Sequence, residues 1–176
     1  MSSPSQPSPL ADAGVEQTPD PFHAHDHDHC AATVLRRAEE QARQDGVRLT
    51  PVRRRVLEIL LESHRAMGAY DVLDRLAAEG YGKQPPVAYR ALDFLVEQGF
   101  AHRVRRLNAY AACLSHQRDH SPAFLICRSC EQVAESESVG LRQALQGLGE
   151  AHGFAIERST IELLGLCARC AAEGKE

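Results

Sequence analysis

Apolar side chains recur every three or four residues from about residue 30 to residue 98, which is the spacing of helices that pack one face on a core. Breaks in this pattern predict four separate helices. Gly46 ends the first, and Thr50, which precedes a proline, is a good N-cap for the second. Two glycines close the third helix, and a pair of prolines opens the fourth, which ends at Gly99.

The fourth helix and the segment after it together predict a nucleic-acid-binding fold. Tyr89 and Arg90 lie off the apolar face of this helix, near its N-terminal end, where a helix in the major groove reaches the bases. Residues 100–113 predict two short strands around a turn at Leu107-Asn108, with an arginine-rich tip. Helices followed by a basic hairpin are typical of a winged helix-turn-helix, here with one extra helix in front. A plain helical bundle capped by a hairpin is the alternative.

The second half of the chain predicts an α/β unit. Residues 123–126 and 132–135 are short strands on either side of a Cys-x-x-Cys pair, and a helical apolar pattern runs from Val139 to Leu148. Residues 154–163 then alternate apolar and polar positions, as a strand does. The predicted fold class is therefore α+β, an N-terminal winged helix-turn-helix domain followed by a C-terminal α/β domain. The predicted divisions are a disordered tail at 1–29, the winged-helix domain at 30–113, a hinge at 114–121 and the α/β domain at 122–176.

Charge is distributed unevenly along the chain, although its net value is only −4. The first 35 residues carry five acids and no Lys or Arg, residues 36–106 carry 14 basic and 10 acidic residues, and residues 107–176 carry six basic and nine acidic residues. A positive segment between two negative ones suits a DNA-binding domain beside an acidic partner domain. No apolar run approaches the roughly 20 residues of a membrane span, and no secretory signal opens the chain, so we expect a cytoplasmic protein.

The first 29 residues are rich in Ser, Pro and acids, with almost no large apolar side chains, so we expect them to be disordered. Their end alternates histidine with acid and offers exchangeable metal ligands. An accessory metal-binding set is predicted there, and the alternative is a solvated tail with incidental metal affinity. The residues of this set are His25, His27, His29 and Cys30.

Four of the six cysteines form two Cys-x-x-Cys pairs, at 127–130 and 167–170. In a reducing compartment such pairs more often bind metal than form disulfides, and two of them can close one tetrahedral, all-thiolate zinc site. The 36 residues between the pairs exceed the 15–20 of an ordinary zinc ribbon, and the predicted strand, helix and strand account for the excess.

Three motifs, in order, carry a family resemblance. They are Arg48-Leu49-Thr50-Pro51-x-Arg53, Tyr89-Arg90-Ala91-Leu92 and the two Cys-x-x-Cys pairs. Together they resemble the ferric uptake regulator superfamily from about residue 31 to residue 171. Phrases such as Ala69-Tyr70-Asp71 and Glu97-Gln98-Gly99-Phe100 are most similar to its zinc uptake regulator branch.

The resemblance implies a homodimer whose C-terminal domain mediates dimerisation and which represses zinc uptake genes when zinc is plentiful. Whether two dimers share one operator stays open. About two zinc ions per monomer are implied, one structural and one regulatory. The implied structural ligands are Cys127, Cys130, Cys167 and Cys170, the implied regulatory ligands are His102, Cys113, His120 and Glu135, and the implied DNA contacts are Tyr89 and Arg90, with Arg48 and Arg53 near the phosphates.

The composition of the implied regulatory set favours zinc. A thiolate with two imidazoles and a carboxylate suits tetrahedral Zn²⁺, whereas iron(II) or manganese sensing favours harder oxygen and nitrogen ligands. Cys113 is therefore the main argument for zinc, and a buried apolar cysteine is its alternative. An iron or manganese regulator and a peroxide sensor of the same superfamily remain the alternative functions. We expect no enzyme, because no nucleophile–base pair, phosphate loop or nucleotide fingerprint is evident.

Overall fold

The computed structural model describes residues 21–22, 26–115, 122–157 and 159–174. It confirms the predicted α+β class: a helical unit with a two-stranded hairpin is followed by a three-stranded sheet and its helix. None of the helices in these described ranges is long and apolar enough to cross a membrane. The elements are α1 (His27–Gln44), α2 (Pro51–Leu61), α3 (Ala69–Ala78), α4 (Pro85–Glu97), β1 (Ala101–Val104), β2 (Ala109–Ala112), β3 (Ala123–Cys127), β4 (Val133–Ser136), α5 (Val139–Ala151), β5 (Ile161–Gly165) and α6 (Ala168–Ala172).

Local capping fixes where the first two helices begin. The backbone N–H of His29 donates to the Asp26 side chain at 3.0 Å, so Asp26 is the N-cap of α1 and the helix begins at His27. The sequence pattern put this start at Cys30 and assigned residues 1–29 to a disordered tail, and that boundary is wrong because residues 27–29 belong to the helix. Residues 1–20 of the predicted tail lie outside the described residues. The predicted cap of α2 is confirmed, because the Thr50 hydroxyl accepts from the N–H of the third helical residue.

The first core lies between the four helices and the hairpin. Val56, Ile59, Leu76, Leu92 and Leu95 are fully buried there, on the faces that the apolar spacing predicted. β1 and β2 pair antiparallel, and we call this hairpin the wing. The wing follows α4 directly in the chain and lies beside it. The N-terminal half of this helix has exposed side chains.

The C-terminal sheet has the strand order β4-β3-β5, with β3 antiparallel to β4 and parallel to β5. The strand predicted over residues 154–163 is wrong in extent, because β5 covers only Ile161–Gly165 and Phe154 to Glu157 are exposed. β5 pairs over the five residues of β3, so the alternating pattern before it has no facing strand among the described residues. A tight turn precedes this segment, where the N–H of Phe154 donates to the Gly149 carbonyl at 2.8 Å.

The two units are in direct contact. Val104 of the wing packs with Phe124, Ile126 and Val133 of the sheet in a second apolar cluster. The N–H of Val133 also donates to the carbonyl of His64, in the loop between α2 and α3, at 2.8 Å. Both strands of the wing and that loop therefore meet the sheet at one junction.

Candidate metal centres and nucleic-acid interface

The four paired cysteines lie in one cluster. Cys127 ends β3, Cys130 lies in the following turn, Cys167 is the N-cap of α6 and Cys170 lies in that helix. One Sγ atom from each lies within 4.8 Å of the others, and none of the six cysteines of the chain forms a disulfide. Cys130 Sγ and Cys167 Sγ are 3.9 Å apart, against a tetrahedral edge of about 3.8 Å for zinc–sulfur bonds of about 2.3 Å.

Backbone donors prepare this cluster for negative charge. Burial raises the pKa of the Cys127 thiol, but backbone N–H groups of Cys130, Cys167 and Ser129 outweigh it and lower that pKa to about 6. Burial, the largest effect at Cys170, instead raises the pKa of that thiol to about 11. A metal-free cluster thus holds both an easily ionised thiol and a reluctant one, whereas a bound cation would favour thiolate at every position.

A second cluster lies where the wing meets β4. His102 on β1, Cys113 just after β2 and Glu135 on β4 each place a ligand atom within 4.8 Å of the others. His102 Nε2 is 3.4 Å and Cys113 Sγ is 3.8 Å from Glu135 Oε1. Tetrahedral edges of about 3.3 Å for nitrogen with oxygen and about 3.5 Å for sulfur with oxygen follow from the usual zinc bond lengths, so these groups fit. His120, the fourth predicted ligand, lies outside the described residues.

Glu135 is a buried carboxylate, with 7% of its surface exposed, and the surrounding groups compensate its charge. The N–H of Leu114 donates to Glu135 Oε2 at 2.8 Å, and the Ser115 hydroxyl donates to Oε1 at 3.3 Å. Burial by itself would lower the pKa of His102, but hydrogen bonds and charges of Cys113 and Glu135 raise it to about 9. Sequence reasoning missed the roles of Leu114 and Ser115, for which no signal was present beyond their closeness to Cys113.

The predicted accessory set is divided by the structure. His27 and Cys30 come together with His64, which the sequence did not indicate, and their ligand atoms lie within 4.8 Å of one another. His29 is exposed and outside this cluster, and His25 lies outside the described residues. Nothing in the spacing pointed to His64, because it lies in a loop that reaches α1 only through helix packing.

Two of the predicted DNA-contacting residues, Tyr89 and Arg90, lie on α4, whereas Arg53 lies on α2 and Arg48 just before it. Tyr89 and Arg90 are exposed in the first half of α4, and the Tyr89 ring meets Tyr70 of α3 edge-on, with centroids 6.4 Å apart. Arg53 places its guanidinium 3.5 Å from the centroid of the Phe94 ring and donates to the Arg48 carbonyl at 2.7 Å. These contacts hold the Arg53 side chain against the C-terminal half of α4.

Other arginines of the helical unit are neutralised within it. Arg54 pairs with Glu39 and Glu58, and Arg55 pairs with Glu58, Glu62 and Glu79. The hydrogen bonds that Arg55 donates to Glu79 are the largest cause of a raised pKa of its guanidinium. The excess of basic residues in this segment therefore overstates the charge available to a polyanion.

Comparison with known proteins adds independent findings. The model of the Ferric uptake regulator family matches residues 44–164. The zinc uptake regulation protein of Escherichia coli (strain K12) is 42% identical over 138 residues, which cover 78% of this chain and 81% of that protein. A solved zinc uptake regulator complexed with zinc and DNA is similar at a TM-score of 0.77 and 39% identity, over 82% of this chain and 97% of that one. The structure of holo XcZur is similar at a TM-score of 0.73 and 37% identity, over 80% of this chain and 98% of that one.

Proposed function

This chain belongs to the ferric uptake regulator family, and on that premise we propose that it is a zinc-responsive repressor which binds operator DNA as a homodimer and controls zinc uptake genes. It is a regulator rather than an enzyme, and it acts in the cytoplasm, where operator DNA is accessible. In this proposal the N-terminal domain, which α1 extends back to His27, reads DNA, and residues 122–176 mediate dimerisation. Most of the predicted hinge at 114–121 lies outside the described residues.

The observation that carries this proposal is the set of groups at the junction of the wing and β4. A thiol, an imidazole and a buried carboxylate converge there from three separate segments of the chain. We assign His102, Cys113 and Glu135, with His120 as the fourth ligand, to regulatory zinc, and the two cysteine pairs to structural zinc. A borderline-soft set of this kind discriminates against magnesium, calcium and manganese, which prefer oxygen ligands.

The chain's own groups explain how metal occupancy could alter DNA binding. His102 lies on β1 and Cys113 directly follows β2, so both belong to the wing, whereas Glu135 belongs to the C-terminal sheet. One ion held by all three would therefore link the winged-helix unit to the sheet. The wing is connected to α4 by a short turn, in which the N–H of Phe100 donates to the Leu95 carbonyl at 2.7 Å. The metal-bound state would therefore narrow the orientations of α4 relative to the sheet, which is a shift of population among conformations.

The surface of α4 supports the assignment of DNA contacts. Tyr89 and Arg90 are exposed in the first half of the helix, which supports assigning them to base contacts in the major groove, and we assign Arg48 and Arg53 to the phosphates. Two such helices in a dimer would need to reach successive grooves, about 34 Å apart.

The C-terminal unit leaves an apolar surface that a second copy could cover. Val139 and Leu148 of α5, Phe154 after it, and Leu163 and Leu164 of β5 are large apolar residues with 45–67% of their surface exposed. β5 is also an edge strand of its sheet. An exposed edge next to apolar side chains is the usual mark of an interface.

A mobility-shift titration on a fragment of a zinc-uptake promoter tests the proposal. Salt is fixed, free Zn²⁺ is buffered from very low to saturating levels, and parallel series use Fe²⁺ and Mn²⁺. We expect tight binding with zinc alone, and we expect Cys113→Ser to need much more zinc for the same shift. Binding that follows iron or manganese, or that ignores metal, would overturn the assignment, and binding lost at low peroxide doses would indicate a redox sensor.

A further inference from the structure

We propose that His27, Cys30 and His64 form a third metal site, specific for a zinc-class ion, which fastens α1 to the loop between α2 and α3. This site is separate from both centres assigned above. It goes beyond the proposed function, because it concerns how the chain binds metal at its N-terminal helix whether or not that metal controls DNA binding.

The distances within the cluster match those of a tetrahedral site. His27 Nδ1 and His64 Nε2 are 3.1 Å apart, close to the edge of about 3.3 Å that zinc–nitrogen bonds of about 2.0 Å produce. The two rings meet at 64° with centroids 4.6 Å apart, so they are not stacked face to face. With the Cys30 thiol, all three ligand atoms lie within 4.8 Å of one another.

The local sequence explains how two of the ligands come to share one face. Asp26 caps α1, which makes His27 its first residue and puts Cys30 three residues later, on the same side of the helix. Cys30 is buried in the apolar core of the helical unit, whereas His27 and His64 are half-buried at its edge. The thiol of the cluster is therefore more deeply buried than its two imidazoles.

The ligand types decide which ion the cluster would take. A cysteine with two histidines favours Zn²⁺ or another soft or borderline cation, since hard ions such as Mg²⁺ and Ca²⁺ need oxygen ligands. The alternative is that the two histidines share one hydrogen bond beside a core cysteine and bind no metal. Both interpretations have the same arrangement of side chains, but only the metal site predicts a third bound ion, so counting bound metal distinguishes them.

The position of His64 gives the site a structural consequence. The His64 carbonyl accepts from Val133 on β4, and Arg65 forms an isolated bridge with Gln132, just before that strand. The three ligands also line the same cavity as Phe124 and Glu135. An ion at this site would therefore hold α1 and the α2–α3 loop against the strand that carries a ligand of the regulatory centre.

Counting bound zinc in the full chain tests the site. Metal-free protein is dialysed against buffered Zn²⁺ to saturation, and zinc per chain is measured by inductively coupled plasma mass spectrometry. We expect His64→Ala to bind one zinc ion fewer than the wild type. His29→Ala is the matched control: it removes a histidine from the same first turn of α1 but outside the cluster, and it should keep the wild-type count. An unchanged count in His64→Ala overturns the proposal.

Three further measurements guard against misreading that result. His64→Ala combined with Cys113→Ser should lose two ions, and a double variant that loses only one would mean that both clusters share a single ion. Cys30→Ser, loaded with Co²⁺, should lose part of the thiolate-to-cobalt absorption that the wild type shows at saturation. Unchanged absorption would remove Cys30 from the site. Far-ultraviolet circular dichroism of each metal-free variant checks that the helices have formed.

Discussion

The backbone N–H of Arg105, in the turn of the wing, donates a 2.6 Å hydrogen bond to the carboxylate of Glu162 on β5. The other carboxylate oxygen accepts from the N–H of Arg106 at 2.9 Å. One acidic side chain thus closes off two adjacent amides of the hairpin tip and ties it to a strand 57 residues further along the chain. Together with the packing of Val104, this contact docks the wing on the sheet through protein groups, and a regulatory ion would add a further link between the two units.

Replacing Glu162 with Gln should loosen that docking. The amide keeps one acceptor oxygen but turns an NH₂ group towards the second amide, so one hydrogen bond to a charged acceptor is lost. Because the site is only partly buried, we expect the free energy of unfolding to fall by about 1 kcal/mol in a urea titration. Glu157→Gln, at an exposed position of the same segment, is the control and should leave the midpoint unchanged. Equal effects of both variants would mean that general charge, rather than the wing contact, is responsible.

Ser115 should matter for zinc affinity through Glu135. Its hydroxyl donates to Glu135 Oε1 and lies 3.9 Å from Cys113 Sγ, so it orients two proposed ligands without being one. Loss of such an orienting group typically weakens metal binding by about tenfold or more. We therefore expect Ser115→Ala to weaken zinc binding at the regulatory centre by about tenfold in a competition titration with a fluorescent chelator.

Ser138→Ala provides the contrast to that variant. The Ser138 hydroxyl caps α5 by accepting from the N–H of Leu141, so its loss should cost about 1 kcal/mol of stability and leave zinc affinity unchanged. If the two serine variants had the same zinc affinity, Ser115 would have no part in the site.

Zinc binding at the regulatory centre should release a proton from His102. The pKa of this imidazole is raised to about 9 in the metal-free protein, so at pH 7 it is protonated and must lose its proton to become a ligand. Apparent zinc affinity should then rise with pH between 7 and 9 and level off above the pKa. Calorimetric titrations in two buffers of different ionisation enthalpy measure the released proton directly, and His102→Ala should release fewer. Identical enthalpies in the two buffers would refute this prediction.

Arg53 and Arg54 are adjacent but should differ in their effect on DNA binding. Arg53 stacks on Phe94 in the C-terminal half of α4, whereas Arg54 is engaged by Glu39 and Glu58. If Arg53 contacts one phosphate, Arg53→Ala should reduce the slope of log affinity against log salt concentration by about 1. Arg54→Ala removes the same charge and should leave that slope unchanged. Fluorescence anisotropy with operator DNA at several salt concentrations checks both, and equal slopes would argue against a specific contact.

Local signals in the sequence were sufficient for much of the fold. Thr50 and Gly99 mark helix ends through capping and backbone freedom alone, and both act as predicted, Gly99 with a φ of 73°. The clustering of the four cysteines could also be predicted, because two Cys-x-x-Cys spacings leave few ways to arrange four thiols around one ion. Asp26 was present in the sequence as a capping signal, but the alternating histidines around it suggested tail ligands instead.

The parts that could not be predicted depend on contacts between distant segments. His64 joins His27 only because α1 packs on α2, and no local pattern encodes that approach. The extent of β5 depends in the same way on its neighbour, since alternation before Ile161 shows suitability for pairing but cannot supply the facing strand. Burial of Glu135 likewise follows from the docking of the wing, which the sequence of β4 does not reveal.

The four-cysteine cluster has a further consequence for how the chain reaches its fold. With the proposed structural zinc bound, this cluster would join the two ends of a 36-residue segment that contains α5 and β5. A cross-link around a loop of that size restricts the unfolded chain by about 4 kcal/mol in the chain-entropy treatment. Parallel pairing of β5 with β3 requires the same closure, so the metal would carry much of its entropic cost. A chain synthesised during zinc starvation would lack this cross-link, so fewer chains would reach the folded state. Zinc supply would then affect the amount of folded protein before it affected binding to any promoter.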